Sequence, residues 1–102
     1  MKTLEIDAKL DRLINELEFR DVKDVIKDSL FTEILYRISM FTDEVERFKN
    51  KYGKTLEEFR KEYESAAEDY EKYDDLMAWE FAQQGKEYWE KKLEELKGLS
   101  IH

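Results

Sequence analysis

Residues 21–53 read DVKDVIKDSLFTEILYRISMFTDEVERFKNKYG. Within them Phe31, Ile34, Ile38, Phe41, Val45, Phe48 and Tyr52 follow one another at spacings of 3, 4, 3, 4, 3 and 4. That is the a/d stripe of a heptad helix, whose period keeps one seam turned toward one neighbour. Leu30 and Leu35 flank the seam and widen it. Neither Pro nor Gly interrupts the run. Asp21 stands where an N-cap belongs, Asp24 places negative charge in the first turn, and Gly53 stands at the C′ position. A helix of about 30 residues is roughly 45 Å long at 1.5 Å per residue. A compact chain of 102 residues covers less than that with its own packing. The expectation is a dimer in which Phe31, Ile34, Ile38, Phe41, Val45 and Phe48 meet a second copy.

Composition narrows the class. Charged residues are 43% and apolar ones 41%, with 14% aromatic, and the strong periodicity argues for an ordered fold. Pro is absent and Gly occurs only at 53, 85 and 98, which favours a mainly α fold over a sheet-rich one. With no Cys there is no disulfide framework and no thiolate metal site. The apolar runs are too short for a transmembrane span, and MKTLEIDAKL has no signal-peptide core, so a cytoplasmic protein is expected. Net charge is −8. The first 50 residues carry 9 Lys/Arg against 12 Asp/Glu, the rest 9 against 14, so neither half offers a basic field for unaided nucleic-acid binding. An acidic surface of this kind suits a basic protein partner.

Upstream of the long helix, KTLEI (2–6) alternates: Leu4 and Ile6 fall on one side, Thr3 and Glu5 on the other. This period of two predicts a short strand. Asp7 then caps a helix running to about Phe19, with Leu10, Leu13, Ile14 and Leu17 on one face. Downstream, Thr55 and Glu58 form a capping box, T-x-x-E, that starts a third helix carrying Leu56, Phe59, Tyr63 and Tyr70. The acidic run EDYEKYDD (68–75) predicts a break near Asp74. Asp75 would cap a fourth helix with Ala78, Phe81, Ala82, Gly85, Tyr88, Trp89, Leu93 and Leu96 on its apolar face. The domain reading is a dimerisation unit over 1–52 and a helical partner-binding arm over 53–102, within a single structural domain.

Two stretches resemble a known family. TLEIDAKLDRLINELEFRDVKDVIKDSL (3–30) resembles the ribbon-helix-helix half of prokaryotic antitoxins, with Val22, Val25, Ile26 and Leu30 at the positions of that pattern. The likeness implies that two chains pair their strands through Leu4 and Ile6. It implies too that Thr3 faces a DNA major groove. Glu5 beside it, and Asp21 where the family carries a small hydroxyl residue near phosphate, argue against tight DNA binding and leave the dimer intact. KYGKTLEEFRKEY (51–63) with DDLMAWEFA (74–82) is similar to C-terminal segments of small antitoxin-like proteins, which wrap a toxin. On that likeness, Glu68, Asp69, Asp74 and Asp75 would pair with a basic toxin surface. Trp79 and Phe81 would be the apolar anchors.

Catalytic patterns are missing from the sequence. The one His is His102, no Cys–His or Ser–His set can be assembled, and no Gly-rich phosphate loop occurs. Carboxylate pairs such as Asp7 with Asp11 and Glu64 with Glu68 lack the Glu-x-x-His repeat of a di-iron bundle and read as solvated helix faces. No cofactor, metal or membrane is expected. The functional expectation is therefore a dimeric antitoxin-like protein that neutralises a toxin by occlusion, at most with weak operator binding. The functional alternative is a dimeric helical scaffold or adaptor without catalytic activity, and the alternative to a ribbon-helix-helix fold is a four-helix hairpin-like dimer.

Overall fold

The computed structural model describes residues 2–65 and 69–99, and the side chains of 7–65 and 69–99. Its elements are α1 (Lys2–Glu16), α2 (Val22–Tyr52), α3 (Leu56–Ser65) and α4 (Tyr70–Gly98). Among the described residues there is no strand.

Local chemistry sets each boundary. α1 closes in a Schellman motif. The Phe19 N–H donates to the Ile14 carbonyl (3.0 Å) and the Glu18 N–H to that of Asn15 (3.0 Å), with Glu18 in the left-handed region at φ 67°. At the start of α2 the Asp21 carboxylate accepts the Asp24 N–H (2.9 Å), and the Asp24 carboxylate accepts the Arg20 N–H (3.2 Å). Gly53 ends α2 at φ 62°, donating to the Lys49 carbonyl (2.7 Å), a conformation in which a Cβ would be strained. Thr55 Oγ1 accepts the Glu58 N–H (3.2 Å) to begin α3.

Three expectations need correction here. Residues 2–6 form the first turns of α1, and Asp7 lies inside that helix. A five-residue strand in a lone chain has no ladder partner for its backbone, whereas a helix satisfies those groups locally. The side chains of Thr3, Leu4 and Ile6 lie outside the described residues. Secondly, α4 begins at Tyr70 with Asp69 as its cap, accepting the Lys72 N–H (3.2 Å), in place of a start at Asp75. The acidic residues read as a break occupy its first turns, where negative charge favours the helix dipole.

The third correction concerns the heptad seam. α4 runs antiparallel to α2 and covers it from within the same chain. Lys51 meets Asp75 (2.6 Å), Phe48 stacks on Trp79 (5.8 Å between ring centroids), the Phe41 ring lies against Gly85, the Arg37 guanidinium sits 5.0 Å from the Trp89 ring centroid, and Lys27 reaches the Leu99 carbonyl (3.4 Å). Val45 and Phe48 are buried there, while Phe31, Ile34, Ile38 and Phe41 are half-buried. A 29-residue helix is long enough to do what a second chain was expected to do.

α3 packs on the N-terminal half of α4 and closes the core at one end. Val45, Phe48, Phe59, Leu76, Trp79 and Ala82 form that core, with Phe41, Tyr52, Leu56 and Tyr63 against it. Among the described residues α1 packs against α2, with Asp11, Ile14 and Asn15 facing Val22 and Lys23 across a cleft. The result is a rod of 69 × 27 × 20 Å with a radius of gyration of 21.2 Å.

Candidate protein interaction surface

The six side chains expected to bind a partner separate in the structure. Glu68 lies outside the described residues. Asp69 is occupied as the cap of α4, and Asp74 is exposed. Asp75 is turned inward: its carboxylate accepts hydrogen bonds from Lys51 Nζ (2.6 Å) and from the Tyr52 hydroxyl. Burial works against the charged Asp75, but the two donors outweigh it and hold the carboxyl below its usual range. Lys51 is raised in return, first by that same hydrogen bond, and Tyr52 is raised by burial and by its bond to Asp75. This cluster clamps the C-terminal end of α2 to the first turns of α4.

Trp79 is not a surface anchor. It is 1% exposed, ringed by Phe48, Phe59 (5.5 Å) and Tyr52 (6.2 Å), and its Nε1 has no hydrogen-bond partner among the described residues. Phe81, two residues on, is 67% exposed and packs edge-on with Phe41 (5.8 Å).

The separation of Trp79 from Phe81 exposes a feature that the sequence reading merged. α4 carries two apolar seams. Trp79, Ala82, Trp89, Leu93 and Leu96, at spacings of 3, 7, 4 and 3, turn toward α2. Tyr70, Tyr73, Met77, Phe81 and Tyr88, at 3, 4, 4 and 7, fall on a separate face turned away from the first by roughly 135°. The outer five are all exposed, from 41% at Met77 to 79% at Tyr70. Tyr73 leans on Tyr63 (6.2 Å), Phe81 on Phe41 and Tyr88 on Trp89 (5.0 Å), so three of the rings are positioned by neighbours. The signal was present in the phase of Phe81 and Tyr88, which do not share the register of Trp79. Asp74, Glu80, Gln84 and Glu87 edge this stripe, with Glu80 held by Arg60 (2.8 Å). That hydrogen bond is also the main cause that raises Arg60.

A second apolar surface lies at the other end. Leu10, Leu13 and Leu17 of α1 and its closing turn are exposed, as are Val22, Ile26 and Leu30 of α2. Ile14 and Val22 line one open cleft between the two helices. Among the described residues no group of three or more His, Cys, Asp or Glu converges to hold a metal ion, and no helix is long and apolar enough to cross a membrane. The arrangement can bind, through apolar stripes bordered by carboxylates. Comparison with protein-family models, with curated proteins and with solved structures returned no match for this chain.

Proposed function

We propose that this chain is an antitoxin-like protein that dimerises and neutralises a basic toxin by occluding its surface. The observation that carries the partner half is the outer stripe of α4. A helix already buried on one face leaves three tyrosines, a methionine and a phenylalanine exposed on another, and Tyr73, Phe81 and Tyr88 each rest on only part of a neighbouring ring. Exposed contiguous apolar surface of this kind marks an interaction site, and aromatic side chains are the usual energetic centres of interfaces. The net charge of −8 favours a basic partner, and the resemblance of residues 51–63 and 74–82 to antitoxin C-terminal segments supplies the partner class. Phe81 and Asp74 keep their proposed role as contacts. Asp75 and Trp79 act from behind, holding α4 in place. The helical course of residues 2–6 lends no support to groove reading by Thr3, so DNA binding is left out of the proposal.

Co-expression with the neighbouring reading frame, followed by affinity purification, tests this. A stoichiometric basic protein, toxic when expressed alone and lost from the Phe81→Asp, Tyr88→Asp variant, is the expected result. If the chain elutes alone and the neighbour is harmless, the toxin reading fails. The scaffold reading then takes its place, favoured by the exposed leucines of α1.

A further inference from the structure

We infer that the outer stripe of α4 receives one basic amphipathic helix of a partner protein, laid lengthwise along it. We take the stripe to be a partner site, as proposed above, and identify the element of the partner that fits it. Shape comes first. Phe81 meets Phe41 of α2 edge-on (5.8 Å) and Tyr73 leans on Tyr63 of α3 (6.2 Å), so both neighbouring helices flank the open face. From Tyr70 to Tyr88 the stripe runs about 27 Å, the length of a five-turn helix. Its five exposed side chains present roughly 600 Å² of surface, near the ~800 Å² that each partner gives to a standard interface. The N–H and C=O groups of α4 are engaged within the helix, so the stripe offers side chains alone. An extended segment laid there would take backbone groups out of water with nothing to replace it, whereas a helix brings them already paired. Side chains spaced 3, 4, 4 and 7 also form ridges and grooves that receive the i, i+3, i+4 and i+7 side chains of another helix.

Charge then selects the occupant. Between Tyr70 and Tyr88 the basic residues of α4 are Lys72 and Lys86. Both fall roughly 150° to 170° round the helix from the centre of the stripe. Asp74 on one edge, and Glu80 and Glu87 on the other, fall within about 90° of that centre. Glu80 is paired with Arg60, while Asp74 and Glu87 make no ion pair among the described residues. In the cleft toward α3, Glu57 joins Glu80 and Glu87 against Arg60. Lys91 ends the acidic face. A helix carrying Lys or Arg beside its apolar side chains therefore meets opposite charge on both edges. A second copy laid antiparallel would set its Glu80–Glu87 edge against the identical edge, where like charges oppose binding.

Fluorescence anisotropy with the intact chain tests this, using a labelled synthetic helix of about 18 residues as the probe. The probe has Leu at heptad a and d positions and Lys or Arg beside them. One control peptide has the same composition without the helical period, and the other has Glu for every Lys and Arg. The probe should bind at least about tenfold more tightly than either control and gain helical circular dichroism on binding. Phe81→Asp, Tyr88→Asp should abolish that preference. Asp74→Lys, Glu87→Lys should weaken the probe about tenfold, and less at high salt. Leu13→Asp, on the apolar surface of α1, should leave binding unchanged. Near-ultraviolet circular dichroism of the Trp79 core checks that each variant is folded. Equal binding of either control peptide overturns the inference. So does loss of binding through Leu13→Asp in place of Phe81→Asp, or a dimer by light scattering that Phe81→Asp dissolves. Probe binding beside a harmless genetic neighbour leaves the helix site standing and removes the toxin. A co-purified toxin that needs Phe81, with no binding of the probe, does the reverse.

Discussion

Truncation of Trp79 to Ala tests the central assignment of the structure. The indole is 1% exposed and lies within 5.5 to 6.2 Å, centroid to centroid, of Phe59, Phe48 and Tyr52. Removing a buried Trp or Phe side chain to Ala costs about 3–5 kcal/mol, from lost transfer energy and from the cavity. Its Nε1 is buried without a partner, and deleting an unsatisfied donor returns roughly 1 kcal/mol or more of desolvation cost. The net expectation is therefore near the bottom of that range, about 3 kcal/mol. Small domains have about 5–15 kcal/mol in all, so roughly a fifth to three fifths of the stability is lost. Urea denaturation followed by far-ultraviolet circular dichroism should show the midpoint falling by about 2 M, for a slope near ~1.5 kcal/mol/M. Trp79→Phe keeps a ring in the stack and drops the orphan N–H, so its midpoint should lie much closer to wild type. A loss below about 1 kcal/mol for the Ala variant would refute the core assignment. So would a Trp79→Phe protein of wild-type stability that no longer holds its partner, because Trp79 would then be a contact residue.

Two further outcomes follow from the packing of α4 on α2. Asp75 is held ionised by Lys51 and Tyr52, so its contribution is present above the ordinary carboxylate pKa of about 4 and is lost as pH falls through its lower folded value. Asp75→Asn should destabilise at neutral pH, with the gap to wild type narrowing in acid; a gap unchanged from neutrality to roughly pH 2 would contradict this. A Cβ on Gly85 would lie 2.6 Å from two ring carbons of Phe41. Gly85→Ala should therefore destabilise despite the ~1 kcal/mol helix-propensity gain of Ala over Gly. In the Phe41→Leu background the same change should cost less or stabilise, and a double-mutant cycle showing additive effects would sink the argument.

Both ends of α2 and the start of α3 were the most legible part of the sequence. Asp21, Gly53 and the Thr55–Glu58 box act through groups within four residues of one another, so their meaning survives without tertiary context. Val22–Tyr52 was readable as one helix for the same reason. The occupant of the heptad seam was not. Amphipathic spacing says that a face is covered, and a fellow helix of the same chain satisfies it as well as a second copy does. α4 was harder still, because Trp79 and Phe81 are two residues apart and turn nearly opposite ways. Without knowing which side meets α2, both look like one aromatic face. The acidity of Glu71 and Asp74 suits a break and that of Asp75 a cap, yet the first turns of a helix accept the same charge.

The rod shape has a consequence for anyone weighing this protein in solution. A compact chain of this length would have a radius of gyration near 13 Å, against 21.2 Å here. Such a particle has a high frictional ratio. It migrates through a sizing column ahead of globular standards of equal mass, and a single copy elutes where a compact dimer would. Sedimentation velocity separates the two cases, because elongation slows a monomer while pairing adds mass. Small-angle scattering adds direction. Docking through α1 at one end of the rod produces a longer maximum dimension, whereas side-by-side pairing along α4 thickens the cross-section and leaves the length near that of one copy.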